Sequence, residues 1–506
     1  MNNWLTAPIL IPLLGGVLQI FMSYAPMQLR RTLALTTTIL TLLAAIVLLG
    51  LADDGSYRVY ALGNWQPPFG IMLVLDRLAA LMLIVTAVLA LFCHIYAFQK
   101  TDTQGPHFHT LFLFQLTGLN IAFLTGDLFN LFVAFEVLLI ASYGLLLHGG
   151  GTTRTVAGLH YVVLNLIGSA LFLFSVGMIY SVTGTLNMAD LAVKVPQLSS
   201  ENLPLVKTGG LLLLVVFGLK SAILPLCFWL PRAYSNATAP VAALFAVMTK
   251  VGIYAILRVY TLIFGENAGE LAHLGMNWLF PTALFTLAIG VIGLLGSKKL
   301  KTMIAWQVII SVGTMLAAIG LTTPAGISAA LFYLINTTWV VGGLFLLADL
   351  VSSQRGSADD RIVTAPKMRN NALLGTLFLI SAVAAIGLPP LSGFFSKLLI
   401  LQAATPGTEM VLLWSVILVG GFFTLIAYSH AGSIVFWRNS EGHIKHDGKL
   451  GLPVTLSTAG LVGLSLVIVA LAGPINRYTE ATAAQLNSPA GYTEVLQMPV
   501  VTESRR

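Results

Sequence analysis

About fourteen stretches of roughly 20 consecutive apolar residues, the length a helix needs to cross a hydrocarbon layer, run along this chain and leave little else. They lie near 4–22, 30–52, 70–98, 107–126, 128–148, 155–182, 207–230, 236–263, 276–297, 301–321, 325–351, 371–403, 410–437 and 451–473. No soluble core of 506 residues has room for that much apolar surface, and only 9% of the residues are charged, against roughly 25% in ordinary soluble proteins. An all-α membrane protein follows. Most connections are short, so the spans form one bundle; the longer ones are 53–69, 183–206 and 352–370, with a polar tail from Gly473 onward. The first run has no basic residue ahead of it and no small-residue cleavage site, and reads as a retained helix.

Charge orients the bundle. Odd-numbered connections carry most of the Lys and Arg, including Arg30, Arg31, Lys100, Arg154, Lys298, Lys299, Lys301, Arg355, Arg361, Lys445 and Lys449, whereas the opposite side holds Arg58, Lys194, Lys207, Arg258, Arg477, Arg505 and Arg506. The positive-inside rule makes the odd connections cytoplasmic and places both termini outside a cytoplasmic (inner) membrane. The net charge of +7 reflects this bias. It does not indicate nucleic acid, because no basic patch interleaved with aromatics exists. Cys93 and Cys227 both fall in apolar runs, which argues against a disulfide framework. There is no HExxH, CxxC or Walker loop, so neither a metal nor a cofactor nor a nucleotide is expected.

Against that apolar background Glu136, Lys220, Lys250 and Lys397 stand out, since an ionisable group in hydrocarbon costs about 3 kcal/mol on insertion scales and faces a partner or a water-filled path. Glu136 has only Phe132, Val133, Leu139 and Ile140 at helical spacing, so its partner comes from another helix: either a static ion pair with Lys220 or a proton-relay pair. A desolvated lysine releases its proton readily, which an arginine does not, and this favours proton handling. His430 in the thirteenth helix is a candidate to continue the line. Arg258 reads as a snorkelling anchor, Asp76–Arg77 as a self-compensating interfacial pair, and His94, His148 and His160 as interfacial.

Two spans are interrupted by proline. The seventh reads Gly218-Leu-Lys-Ser-Ala-Ile-Leu-Pro225, and the twelfth reads Gly387-Leu-Pro389-Pro390-Leu-Ser-Gly-Phe-Phe-Ser-Lys397. A proline frees a carbonyl, which a membrane tolerates only beside protein or water. The breaks are five spans apart, an odd number, so helices 4–8 and 9–13 read as two inverted five-helix repeats with a path at their interface. The corresponding segments are 1–106 (three N-terminal helices), 107–263 (first repeat), 264–437 (second repeat) and 438–506 (last helix and polar tail). Pro225, Cys227, Pro389 and Pro390 are expected beside the path.

The runs Asp127 to Gly144, Leu224 to Pro231, Ala239 to Tyr254 and Gly387 to Phe394 resemble the D-type subunits of the Mrp-type multisubunit monovalent cation/proton antiporters, a family similar to the antiporter-like subunits of respiratory complex I. The resemblance covers roughly residues 1–475. It implies fourteen helices, export of Na⁺ or K⁺ coupled to proton uptake, and partners in the form of the other subunits of a hetero-oligomer. It further implies that Glu136 and Lys220 are the ion pair of the first half-channel, Lys250 the central lysine and Lys397 the terminal one. Related subunits often place histidine at the positions of Cys227 and Asn336 and lysine near Val341. Here none of these titrates near neutral pH, so the second half-channel is expected to rely on water, Asn336, Thr337 and His430. Two rivals remain open: a proton-pumping membrane subunit of a complex I-like NADH dehydrogenase or membrane hydrogenase, and a scaffold beside a transporting neighbour.

Overall fold

A computed structural model describes residues 2–65, 68–438, 440 and 450–494. The charges at Lys445, Lys449, Arg505 and Arg506 lie outside the described residues. Twelve helices among the described residues are long and apolar enough to cross a membrane, and Phe108–Leu124 and Asn371–Ile386 are shorter apolar helices. Together they account for the fourteen runs.

In chain order the helices are α1 (Ala7–Phe21), α2 (Met27–Ala52), α3 (Arg77–Ala97), α4 (Phe108–Leu124), α5 (Leu128–Leu147) and α6 (Thr152–Thr183). A short α7 (Met188–Lys194) precedes the seventh span, which is split into α8 (Leu203–Ser221) and α9 (Trp229–Asn236). The eighth span bends between α10 (Ala239–Phe245) and α11 (Met248–Leu262). Then come α12 (Met276–Leu295), α13 (Leu300–Gly320), α14 (Pro324–Ser353), the two halves of the twelfth span, α15 (Asn371–Ile386) and α16 (Ser392–Gln402), and α17 (Thr408–Gly432), α18 (Leu452–Ala470), α19 (Ala472–Leu486) and α20 (Ala490–Thr493).

Burial sorts these helices into an inner and an outer set. Every residue of α10 is buried, as is nearly all of α11, α13 and α14, while α1, α2, α6 and α17 expose large apolar side chains such as Leu14, Leu43, Phe174 and Phe422. Apolar residues on both faces mark the former as the bundle interior and the latter as lipid- or subunit-facing. The 30-residue α14 is the centrepiece and packs on α3, α10, α13, α15, α16, α18 and α19. One neighbour pattern occurs twice. α4 packs on α5, α5 on α6, α6 on both halves of the seventh span, and α4 on α11; α12 packs on α13, α13 on α14, α14 on both halves of the twelfth span, and α12 on α17.

Two connections are more ordered than their polarity indicates. Residues 53–69 contribute β1 (Arg58–Ala61), which pairs antiparallel with β2 (Met72–Leu75). The tail after Gly473 folds as α19 and α20, because its polar groups find backbone partners: Gln485 Nε2 donates to the Gly55 carbonyl at 2.9 Å and Tyr478 Oη to the Arg77 carbonyl at 3.1 Å.

The expected pairing of Asp76 with Arg77 does not form. Asp76 takes a bidentate pair from Arg258 on α11, at 2.6 and 2.8 Å, and also caps α3 by accepting from Ala79 N at 2.9 Å. Arg258 is therefore no snorkelling anchor. It is 2% exposed and lies 5.4 Å from the rings of both Tyr254 and Tyr492. Sequence spacing places Asp76 beside Arg77, but a planar guanidinium deep in the bundle needs a carboxylate for both forks, and the tertiary fold supplies this one.

Candidate functional site

The four ionisable residues singled out in the sequence are held on four helices, α5, α8, α11 and α16. Glu136 on α5 is half-buried, and its Oε1 accepts a hydrogen bond from Ser169 Oγ on α6. One turn earlier on α6, Asn165 Oδ1 accepts from Lys220 Nζ at 3.1 Å. The ammonium also lies 5.8 Å from the Phe135 ring centroid, within range of a cation–π contact. Glu136 and Lys220 are thus bridged by two neutral side chains spaced four residues apart on α6, the spacing that puts both on one face. Neither Asn165 nor Ser169 attracts notice in the sequence. The signal that finds them is their offset of three or four residues inside an apolar helix opposite a known charge.

Lys250 lies where the eighth span bends into α11 and is fully buried. Its ammonium reaches Ser311 Oγ on α13 at 3.4 Å, joining the helices of the first neighbour pattern to those of the second. Thr249, next to Lys250 in the chain, and Gln307, one turn before Ser311 on α13, have a buried Oγ1 and Oε1 with no hydrogen-bond partner among the described residues. From Ser311 the polar residues continue along α13 and α14. Tyr333 sits against Thr314 and Thr337, and the adjacent Asn336 Oδ1 accepts from Ser392 Oγ at the start of α16 at 2.6 Å. Five residues further on, Lys397 Nζ donates to the Ile386 carbonyl at 2.6 Å, the last residue of α15. Asn336 and Thr337 are 1% and 4% exposed and lie within this line.

Other expected members stand elsewhere. His430 is exposed on α17, so it does not extend the buried line; Tyr428 of the same helix does point inward, 2% exposed, with its hydroxyl unpartnered. Pro225, Pro389 and Pro390 are all exposed, because a proline needs no donor satisfied and can be turned outward while the freed carbonyl stays inside. Cys227 is buried within the first break, and both cysteines are free. Both breaks hold a cis peptide bond, at Leu224–Pro225 and Pro389–Pro390.

The histidines also differ from the expectation that all are interfacial. His160 is exposed, but His94 is fully buried, with Nδ1 at 2.8 Å from Thr38 Oγ1 and Nε2 at 3.0 Å from His109 Nδ1. His148 is 5% exposed and donates from Nε2 to the Thr101 carbonyl at 2.7 Å.

Chemically, the arrangement is a set of ionisable groups, one half-buried carboxylate and three buried ammoniums, each bonded to a neutral hydroxyl, amide or carbonyl group. Residues 125–424, which contain all four charged positions, match the family model described as NADH:quinone oxidoreductase/Mrp antiporter, transmembrane. The chain is 40% identical to a protein of Rhizobium meliloti named as the D component of a probable K⁺/H⁺ antiporter, covering 99% of each chain. It is 38% identical to the D component of a Na⁺/H⁺ antiporter of Alkalihalophilus pseudofirmus, covering 98% of this chain and 99% of that one. In structure it is similar to a chain of the Mrp complex of Dietzia sp. DQ12-45-1b, with a TM-score of 0.88 and 27% identity over 98% of this chain and all of that one. It also shares its fold with a chain of respiratory complex I of Thermus thermophilus, with a TM-score of 0.77 and 24% identity over 95% of this chain and 99% of that one. Matched from end to end by such relatives, the chain belongs to the family of D-type subunits of the Mrp-type multisubunit cation/proton antiporters.

Proposed function

We propose that this chain moves protons along Glu136, Lys220, Lys250 and Lys397, coupled to export of Na⁺ or K⁺, as one subunit of a hetero-oligomeric antiporter in the cell membrane. One observation carries this reading. Each of the three buried lysines bonds to a neutral oxygen, at Asn165, Ser311 and the Ile386 carbonyl, and none is paired directly with a carboxylate among the described residues. A lysine locked in a buried ion pair keeps its proton, because losing it strands the carboxylate. One held only by an amide, a hydroxyl or a carbonyl gains much less by staying charged, so desolvation leaves it able to exchange.

The carboxylate of Glu136, one helical turn of α6 from the Asn165 contact, then biases Lys220 through space. A proton arriving at Lys220 strengthens that attraction, and its departure toward Lys250 weakens it. The buried oxygens of Thr249, next to Lys250 in the chain, and of Gln307, one turn before Ser311, are sites that a file of water would satisfy, with Ser311, Thr314, Tyr333 and Thr337 continuing it toward Lys397. The twice-used neighbour pattern supports reading 107–263 and 264–437 as two inverted units, the Lys250–Ser311 contact crossing between them. His430 falls outside this line. The chemistry proposed for the chain is transport, which calls for neither a catalytic residue nor a cofactor.

The test is dye-monitored ΔpH in vesicles lacking other antiporters, with Na⁺ and K⁺ added separately. Glu136→Ala and Lys220→Ala should abolish antiport in complexes that assemble normally; antiport at the wild-type rate in either refutes the relay. The complex I-like alternative predicts instead co-purification with iron–sulfur subunits and no cation-dependent ΔpH.

A further inference from the structure

Apart from the relay, a second group of titratable side chains is buried between α2, α3, α4 and the connection 98–107. Arg31 pairs with Asp102, its Nε at 2.6 Å and Nη2 at 2.9 Å from the two carboxylate oxygens. Asp102 Oδ2 lies 3.5 Å from His109 Nε2, His109 Nδ1 is 3.0 Å from His94 Nε2, and His94 Nδ1 is 2.8 Å from Thr38 Oγ1. The Asp102 and His109 side chains are fully inaccessible, whereas Arg31 is 23% exposed and provides the contact with water. Burial pushes the Asp102 carboxyl up, but a protonated His109 and Arg31 hold it below its ordinary value; when His109 is neutral, the bidentate guanidinium of Arg31 still favours the carboxylate.

Hydrogen-bond direction shows what this ladder lacks. The Thr38 hydroxyl donates to the Ala34 carbonyl at 2.9 Å, so toward His94 it accepts, and His94 carries its proton on Nδ1. His94 Nε2 is then an acceptor and His109 carries its proton on Nδ1. That leaves Nε2 of a neutral His109 presenting a lone pair to the Asp102 carboxylate, and it is indeed a buried nitrogen with no hydrogen-bond partner. A proton added there turns two opposed acceptors into an imidazolium–carboxylate pair. The other remedy, reversing every bond in the ladder, makes Thr38 abandon the Ala34 carbonyl.

We infer that His109, backed by His94 and facing Asp102, is a proton-binding site on the basic-loop side of the membrane, separate from the lysine relay, whose occupancy sets the dependence of transport on the pH of that side. The other titratable groups around it are His148 after α5, which bonds to Thr101, and Arg154 of α6, which donates to the His148 carbonyl at 2.9 Å. His107 and Lys100 are exposed, and the remaining lining is the aromatic rings of Phe98, Phe108 and Phe112. The site reaches the relay through α4, whose Phe123 carbonyl accepts from Tyr254 Oη at 2.6 Å, four residues along α11 from Lys250.

Only the activity readout rests on the antiport reading. In everted vesicles carrying the assembled complex, the midpoint of the activity–pH curve should fall by about one unit in Asp102→Asn, which removes the charge that favours imidazolium. It should rise by a similar amount, about one unit, in Arg31→Gln, which leaves Asp102 to His109 alone. A purely structural role gives no such pair of opposite shifts. Independently, infrared difference spectra of the complex with isotope-labelled histidine should show one fewer imidazole titrating between pH 5 and 8 in His109→Gln than in the wild type. Coincident pH curves for Arg31→Gln and wild type, or an unchanged imidazole count in His109→Gln, overturn the site. If Asp102→Asn fails to assemble, those two measurements still decide. Wild-type vesicles without antiport would refute the transport reading, while the infrared count would still judge this one.

Discussion

The two broken spans solve one backbone problem in different ways. At the first break, α8 ends in a left-handed Ala222 (φ 63°), and the Leu219 carbonyl, which accepts from Ala222 N at 3.1 Å, also accepts from the indole of Trp229, Nε1 to O 3.2 Å, from the first residue of α9. The ammonium of Lys220 is then free to reach Asn165 on α6. At the second break, α15 ends in Gly387 (φ 88°), and the carbonyl of Ile386 is taken by the ammonium of Lys397 itself. One lysine stands beside a break that another residue caps; the other is the cap. A shared sequence feature, proline with a lysine within two turns, therefore hides a difference in what each lysine does for the fold.

Deleting the two lysines tests that difference most severely. Lys220→Ala and Lys397→Ala should each lower antiport about a hundredfold or more, the scale lost with a positioned proton-transferring group. Only Lys397→Ala should also lose stability, by about 2 kcal/mol for a charged donor removed from a buried carbonyl. Thermal unfolding of the detergent-purified complexes checks this, and equal melting temperatures for the two variants would break the comparison. Lys397→Arg separates the roles within one residue: a guanidinium can cap Ile386 but does not give up its proton, so the complex should stay stable and transport should fail.

Gly387→Ala acts on the backbone alone. At φ 88° any side chain is strained, and its Cβ would sit 2.7 Å from Lys397 Cδ, so a loss of about 1–2 kcal/mol is expected in the same thermal unfolding measurement, with the ammonium displaced from Ile386. At the first break Trp229→Phe removes the indole donor from Leu219 but leaves Lys220 and Asn165 in place. It should cost about 1 kcal/mol and keep transport within about twofold of wild type in the vesicle assay. A large transport defect there would mean that the first break, too, depends on its cap.

Much of this is legible in the residues. The span count follows from apolar runs, the breaks from Pro225 and Pro389–Pro390, and the charged positions from their cost in hydrocarbon. The partners are not legible. Asn165, Ser169 and Ser311 are ordinary polar residues within apolar helices, and only the packing of α6 on α5 and α8 and of α11 on α13 aims them at charges. The burial of His94 is hidden for the same reason. A histidine near a helix end is commonly interfacial, and here α2 and α4 close over it. Asp76 stands next to Arg77 in the chain, yet the partner that uses both its carboxylate oxygens lies on α11, beyond any local pattern.

The chain by itself determined how many times it crosses the membrane, where the crossings are interrupted, and which side chains are too costly to leave in lipid, because hydrocarbon imposes those terms residue by residue. The fold decided which charge meets which oxygen, which break is capped by an indole and which by an ammonium, and that the prolines of the second break face outward while the freed carbonyl faces in. Those choices depend on directions and distances of a few ångströms between helices far apart in sequence, and they are fixed only when the helices pack.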